Sequence, residues 1–215
     1  MPVPLKIDFV SDISCPWCVI GLRALEQAIA RLDGQVAVDL HFQPFELNPQ
    51  MPPGGQDIDE HLQQKYGSTP EQAALVRERI RAAGAALGFT FSLQTRSRIY
   101  NTFDAHRLLH WAALEGRQLA LKQALFQAYF TDGEDPSSHQ VLIRAAARVG
   151  LDATRAARIL DSNEFAAVVR KEQAFFLGQG IHAVPAVIIN NQHLIQGGQP
   201  VEVFEQALRQ IAGLA

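Results

Sequence analysis

Cys15-Pro16-Trp17-Cys18 holds the only two cysteines of this 215-residue chain and places them between an apolar run and a helical pattern. The run Leu5-Lys6-Ile7-Asp8-Phe9-Val10 reads as a strand, and residues 19–29 carry apolar side chains at helical spacing. A strand that turns into a helix at C-x-x-C sets the first sulfur beside unpaired backbone N–H groups and the positive end of the helix dipole. That setting favours a thiolate at Cys15.

Three uses of the pair compete. A redox dithiol needs one ionisable, reachable sulfur and a partner held nearby, and a helix N-terminus supplies both. Zinc would require two further Cys or His ligands at matching spacing, and no second C-x-x-C exists. An inert pair would be two small buried residues. The strand-to-helix setting favours redox chemistry.

Hydrophobic residues make up 47% of the chain, so a packed core is expected rather than disorder. Nineteen basic against twenty-two acidic side chains give a net charge of −3, which argues against nucleic acid as a partner. The start runs into the first strand without a basic, apolar signal pattern, and no apolar stretch has the length of a membrane span. A cytoplasmic protein with no membrane partner is therefore expected, and a lone cysteine pair in a reducing compartment points to catalysis rather than a structural staple.

Residues 35–42 alternate as a second strand, and strand-helix-strand in that order suggests a parallel βαβ unit. Pro44, Pro49, Pro52, Pro53, Gly54 and Gly55 then mark a boundary near 48–56. From 57 to about 160 no strand is expected; helices are predicted over 59–66, 69–87, 102–114, 119–131, 139–149 and 153–160. Thr69-Pro70-Glu71-Gln72 carries a helix-start signal, and Gly88, Gly116, Gly133 and Gly150 fall at helix ends. A helix from 163 to about 177 follows. Then come the run 185–190, an Asn190-Asn191 hairpin turn into 192–196, and a closing helix that starts at Pro200. The expected fold class is α/β, with residues 1–50 and 163–215 as two parts of one domain and 51–162 as an all-helical insertion.

That order is the thioredoxin-like plan with an inserted helical domain. The sequence resembles the DsbA-like thioredoxin superfamily, in particular its FrnE-type cytosolic thiol–disulfide oxidoreductases. More distantly it is similar to 2-hydroxychromene-2-carboxylate isomerases and kappa-class glutathione transferases. The carriers are Ser11-Asp12-Ile13-Ser14-Cys15-Pro16-Trp17-Cys18 with Ile20-Gly21, Pro44-Phe45-Glu46-Leu47-Asn48-Pro49, Asn101-Thr102-Phe103-Asp104-Ala105-His106-Arg107-Leu108 and Gly180-Ile181-His182-Ala183-Val184-Pro185. The isomerase and transferase relatives carry serine where Cys15 stands and usually an acid where Gln199 follows Gly197-Gly198. Both departures favour disulfide exchange over a tight glutathione site.

The resemblance implies Cys15 and Cys18 as catalytic residues acting through a mixed disulfide, with no tightly bound cofactor and glutathione as a candidate co-substrate. The partner is then a protein or small molecule bearing a thiol or disulfide. Pro16 and Trp17 set the loop between the sulfurs. A cis Val184–Pro185 peptide is implied beside them, with the Val184 backbone placed to meet an extended substrate. Asn48, Asn101 and His106 are candidate cleft contacts, and Glu46 a candidate buried acid that tunes the thiol. Helix capping by Asn101 or Thr102 and turn formation at Asn48-Pro49 are the plain alternatives. His106 and His110 share a helical spacing, but no third ligand accompanies them, and no metal site is expected. Alternatives to an oxidoreductase are a glutathione-dependent isomerase or transferase for an aromatic molecule, and a redox-sensing binder of client proteins. Oligomeric state is left open, with a homodimer as one candidate.

Overall fold

The computed structural model describes residues 1–92 and 97–214. A four-stranded sheet has the order β2-β1-β5-β6, built from β1 (Val3–Ser11), β2 (Val36–Pro44), β5 (Ala186–Ile189) and β6 (His193–Gln196). β1 and β2 are parallel, as their connection by helix α1 (Pro16–Arg31) requires, while β5 pairs antiparallel with both β1 and β6. Asn190 and Asn191, with φ of 52° and 59°, are the central residues of a turn closed by the Gln192 N–H donating to the Ile189 carbonyl at 3.1 Å, within a three-residue loop between the paired Ile189 and His193.

Period-two alternation gives the sheet two apolar faces. Leu5, Ile7 and Phe9 of β1, with Val187 and Ile189 of β5, join α1 and the closing helix α9 (Val201–Ile211) in the main core. Val10 and Ala186 point to the other face, where Phe45, Ile181 and Phe176 of α8 (Ala166–Gly178) cover them. Pro200 is the N-cap of α9, one residue ahead of the helix it was expected to begin.

Between β2 and α8 lie α2 (Ile58–Tyr66), α3 (Pro70–Ala86), α4 (Phe103–Leu114), α5 (Gln118–Phe126), α6 (His139–Arg148) and α7 (Ala153–Leu160). α5 runs on into a π-helical turn over Gln127–Thr131. Thr69 and Gln72 form a reciprocal capping box at α3, and Asp57 caps α2 by accepting from the Asp59 and Glu60 N–H groups. The expectation of no strand in this segment is corrected by β3 (Gln56–Asp57) and β4 (Arg98–Ile99), a two-residue antiparallel pair. Two residues are too few to imprint an alternation on the sequence.

The insertion shares the main core with the sheet. Trp111, Leu121, Leu125, Phe126, Leu142 and Ile159 belong to the same buried cluster as Phe9 and Leu25. α3 packs on α1, and α4 and α5 pack on β2. The helical block is thereby held over the carboxyl ends of β1 and β2, where Cys15 begins α1.

Gly84 in α3 marks how closely the 89–91 segment approaches. A Cβ there would stand 2.4 Å from Phe91 ring carbons and 3.0 Å from the Phe89 carbonyl. Phe91 cannot swing away, because its ring is wedged between Phe89 (4.8 Å between centroids) and Phe130 (5.3 Å). Gly84→Ala should therefore destabilise the fold by about 1–3 kcal/mol. Gly178→Ala, whose Cβ meets nothing within 4 Å, should be neutral or stabilise by roughly a few tenths of a kcal/mol. Urea unfolding of the two variants beside the wild type checks both signs.

Candidate active site

Cys15 is the N-cap of α1, and Pro16 fills the first helical position, where the missing N–H costs nothing. The Cys15 thiol is directed at the Val184 carbonyl, 3.6 Å away, and the Val184–Pro185 peptide is cis, as the resemblance implies. Cys18 lies one turn inside the helix. Its N–H donates to the Cys15 carbonyl at 3.1 Å, and its side chain is fully buried, whereas Cys15 keeps 4% exposure. Both cysteines are free thiols.

The Cys18 thiol is pushed well above the ordinary range, first by burial and then by its neighbour Cys15, against the opposing charge of Lys122. The two sulfurs are thus unequal. One borders the surface at a helix N-terminus, and the other is held protonated behind it.

Close packing fixes this seat. A Cβ on Gly21 would meet Pro185 Cγ at 3.0 Å, and one on Gly198 would meet the Trp17 carbonyl at 3.0 Å. Gly21 lets α1 approach Pro185, and Gly198 lets the connection between β6 and α9 approach the first turn of α1. Trp17 is half-buried: it packs against the main core, carries the Arg79 guanidinium 5.7 Å from its ring, and lines a cavity of about 580 Å³. Ser14, Pro16 and Asn48 line the same cavity beside Ile58, Leu62, Val76 and Ile80 of the insertion.

Other expected site residues are placed differently. Asn101 Oδ1 accepts from the Phe103 N–H at 2.9 Å, a local turn just ahead of α4, whose N-cap is Thr102. His106 is buried, with Nε2 at 3.0 Å from the Phe45 carbonyl and 3.7 Å from Asp12 Oδ1. Neither lines the cavity beside Trp17. Glu46 is buried, as expected, and its Oε2 accepts from Arg170 and Gln173 of α8. His106 and His110 have separate partners, His110 lying 3.4 Å from Glu172. Among the described residues no group of three metal-ligating side chains gathers.

Two buried charges escaped the sequence reading. Asp12, within the motif that ends at Cys18, ties the 12–14 turn to the segment after β2. Oδ1 accepts from the Ser14 N–H (3.1 Å), while Oδ2 accepts from Ser14 Oγ (2.9 Å) and the Leu47 N–H (2.7 Å). Lys122 is fully buried on α5, with no hydrogen-bond partner among the described residues. Its signal was present: Lys122 falls in the stripe Leu121, Leu125, Phe126 that the helix buries.

Residues 6–209 match the DSBA-like thioredoxin domain family. The chain belongs to that family. It is 33% identical to a probable DsbA oxidoreductase from Streptomyces coelicolor, with a TM-score of 0.91 over 97% of this chain and 90% of that one. An uncharacterized protein of Bacillus subtilis (strain 168), YwbO, is 26% identical over 97% of this chain and 96% of its own length. A cytosolic disulfide reductase, DsbM of Pseudomonas aeruginosa, solved with GSH, shares the fold at 17% identity. Its TM-score is 0.68, over 97% of this chain and all of that one. Membership of the DsbA-like family makes this chain a thiol–disulfide oxidoreductase in general terms.

The carboxyl of Asp12 gives the site an acid-sensitive support. Burial raises its pKa, but hydrogen bonding and charge from His106, the Leu47 N–H and Thr102 outweigh that and hold it below the ordinary 3.8. A group lowered by folding contributes stability that is complete above its unfolded pKa and lost as pH falls through the folded value. Asp12→Asn should cost about 1–3 kcal/mol at neutral pH. It should also flatten the loss of stability below about pH 4, which urea unfolding across the acid range measures.

Proposed function

We propose that this chain is a cytosolic disulfide reductase or isomerase in which Cys15 attacks and Cys18 resolves. The Cys15 thiolate bonds to one sulfur of a substrate disulfide, and the other substrate sulfur leaves with the bond's electron pair. Cys18 then attacks Cys15, forming the Cys15–Cys18 disulfide and releasing the second substrate sulfur as a thiolate. The substrate is reduced by two electrons and the pair is oxidised. A small-molecule thiol such as glutathione, as co-substrate, returns it to the dithiol.

The observation that carries this reading is the unequal seating of the two sulfurs. Cys15 caps α1 beside the Val184 carbonyl, and Cys18 sits buried and protonated one turn behind. The helix N-terminus favours negative charge where the attacking sulfur stands. Pro16, Trp17 and Asn48 wall the adjoining cavity, which is apolar enough to hold the side chains that flank a substrate cysteine. Val184 and Pro185 close the other side of the Cys15 thiol and offer backbone to an extended segment.

The same cavity supports a second reading, a glutathione-dependent isomerase or transferase for an aromatic molecule. About 580 Å³ of mostly apolar space beside a thiol suits such a substrate in size. Direction of electron flow in the leading reading follows from the thiol pool: at an ordinary potential, a reducing compartment keeps the pair reduced.

Exchange with oxidised glutathione separates these outcomes. Cys15→Ser should abolish disulfide exchange, whereas an isomerase that tolerates serine would keep turning over its aromatic substrate. Cys18→Ser should accumulate a stable Cys15–glutathione mixed disulfide, visible by mass. Iodoacetamide should label Cys15 alone in the folded protein. Exchange that survives Cys15→Ser, or labelling of Cys18 first, contradicts the reading.

A further inference from the structure

Arg79 is a charge beside the C-x-x-C loop that nothing in the described residues neutralises. Helix α3 carries three arginines, and two of them are spent: Arg77 bonds Asp59, while Arg81 holds both carboxylate oxygens of Glu78 at 2.8 Å and 2.6 Å. Arg79 makes no hydrogen bond or ion pair among the described residues, and its guanidinium lies 5.7 Å from the centre of the Trp17 ring. It is exposed, next to Val76, Arg77 and Ile80, which line the cavity of about 580 Å³ together with Trp17. An indole face steadies a guanidinium without using up its N–H donors.

The cavity's own charges are already answered. Asp57 accepts from two N–H groups of α2 as its cap, Asp59 is held by Arg77, and burial lowers the His61 imidazole, which is neutral at pH 7. Asn48 adds a donor to the same wall. Lys65 Nζ donates to Asn48 Oδ1 at 2.7 Å and to the Leu47 carbonyl at 2.9 Å. An ammonium can only donate, so the amide oxygen of Asn48 faces Lys65 and Nδ2 is the donor left over, with no partner among the described residues. The side that meets a substrate therefore offers an unpaired cation and an amide donor, and among its described lining residues no unpaired carboxylate.

We propose that Arg79 is a specificity residue: it receives a carboxylate carried one or two residues from the substrate's reacting cysteine, with Asn48 Nδ2 as a second donor. Acidic disulfides are then exchanged faster than neutral or basic ones. The reach is adequate, because Trp17 follows Cys15 by two residues on the first turn of α1 and two residues of extended substrate span about 7 Å. The exchange itself runs as above, with Cys15 Sγ bonding one substrate sulfur and the other leaving with the electron pair. An anionic substrate is repelled by the attacking thiolate, and Arg79 offsets that repulsion during encounter.

This inference rests on the Cys15 reading, and peptides that differ only in charge test the two apart. Blocked peptides Gly-Xaa-Cys-Gly, with Glu, Gln or Lys as Xaa, are joined to 2-thiopyridine as mixed disulfides, and release of thiopyridone by reduced protein is timed in a single turnover. At low salt the wild type should react about three- to tenfold faster with the Glu peptide than with the Gln peptide, and slowest with the Lys peptide. The Glu-to-Gln ratio should fall to about one in Arg79→Gln and be partly retained in Arg79→Lys. Equal rates for the three peptides in wild type, or a ratio unchanged in Arg79→Gln, overturn the proposal, whereas no release from the Gln peptide in wild type contradicts the Cys15 reading instead. Arg79 is exposed, so the variants are expected to fold. Should they not, salt decides on the wild type: screening at about 0.5 M should erase the Glu preference, and a preference unchanged there overturns the proposal. Oxidised glutathione also carries carboxylates. A matching fall of its rate in Arg79→Gln extends the selection to small disulfides, and an unchanged rate confines it to protein segments.

Discussion

The contact between the first turns of α1 and the Val184–Pro185 loop holds the site together. Gly21 sits against Pro185, and Gly198 of the β6–α9 connection against the Trp17 carbonyl, each so close that a Cβ would stand 3.0 Å away and displace its neighbour. With the helix and loop that close, the Cys15 thiol meets the Val184 carbonyl, and its other neighbours follow. β1 delivers the helix start through an apolar face shared with α9, and β5 delivers the loop through the strand next to it. The insertion adds the wall that carries Ile58, Leu62 and Ile80, and its core is continuous with that of the sheet.

Polar burial beneath this contact is handled in two ways. Asp12 is compensated by backbone and side-chain donors from its own loop, from residue 47 and from α4, so its charge costs little to keep and ties the segments together. Lys122 has the ring faces of Phe126 and Phe42 near its ammonium and no hydrogen-bond partner among the described residues. A side chain left unsatisfied in a packed interior costs about 1–3 kcal/mol. The fold carries that cost on α5, in the interior that the helical insertion shares with the sheet.

Most of the fold was legible because its signals are local and repeated. The alternation of 35–42, the Thr69-Pro70 start, the glycines after the helices and the Asn190-Asn191 turn each act within a few residues. The β3–β4 pair was illegible because its partners lie about forty residues apart and have no pattern of their own. At the site, the cysteines, the Trp17 loop and Asn48 could be placed from motif order. The partners of His106 and Glu46 were not legible, because they are distant in sequence: His106 meets the Phe45 carbonyl, 61 residues away. Glu46 took Arg170 and Gln173, which are more than a hundred residues away. Lys122 broke the apolar face of its helix, a signal in plain sight that needed the third dimension to acquire neighbours.

Equilibrating the protein with a series of reduced and oxidised glutathione, quenching with a thiol trap and weighing the products tests the central claim most directly. A functional dithiol gives a single two-electron transition between the form with both thiols trapped and one with an internal Cys15–Cys18 disulfide. If the two sulfurs never join across the series, or only separate glutathione adducts form, they do not act as a redox pair and the chemistry assigned to this site is wrong.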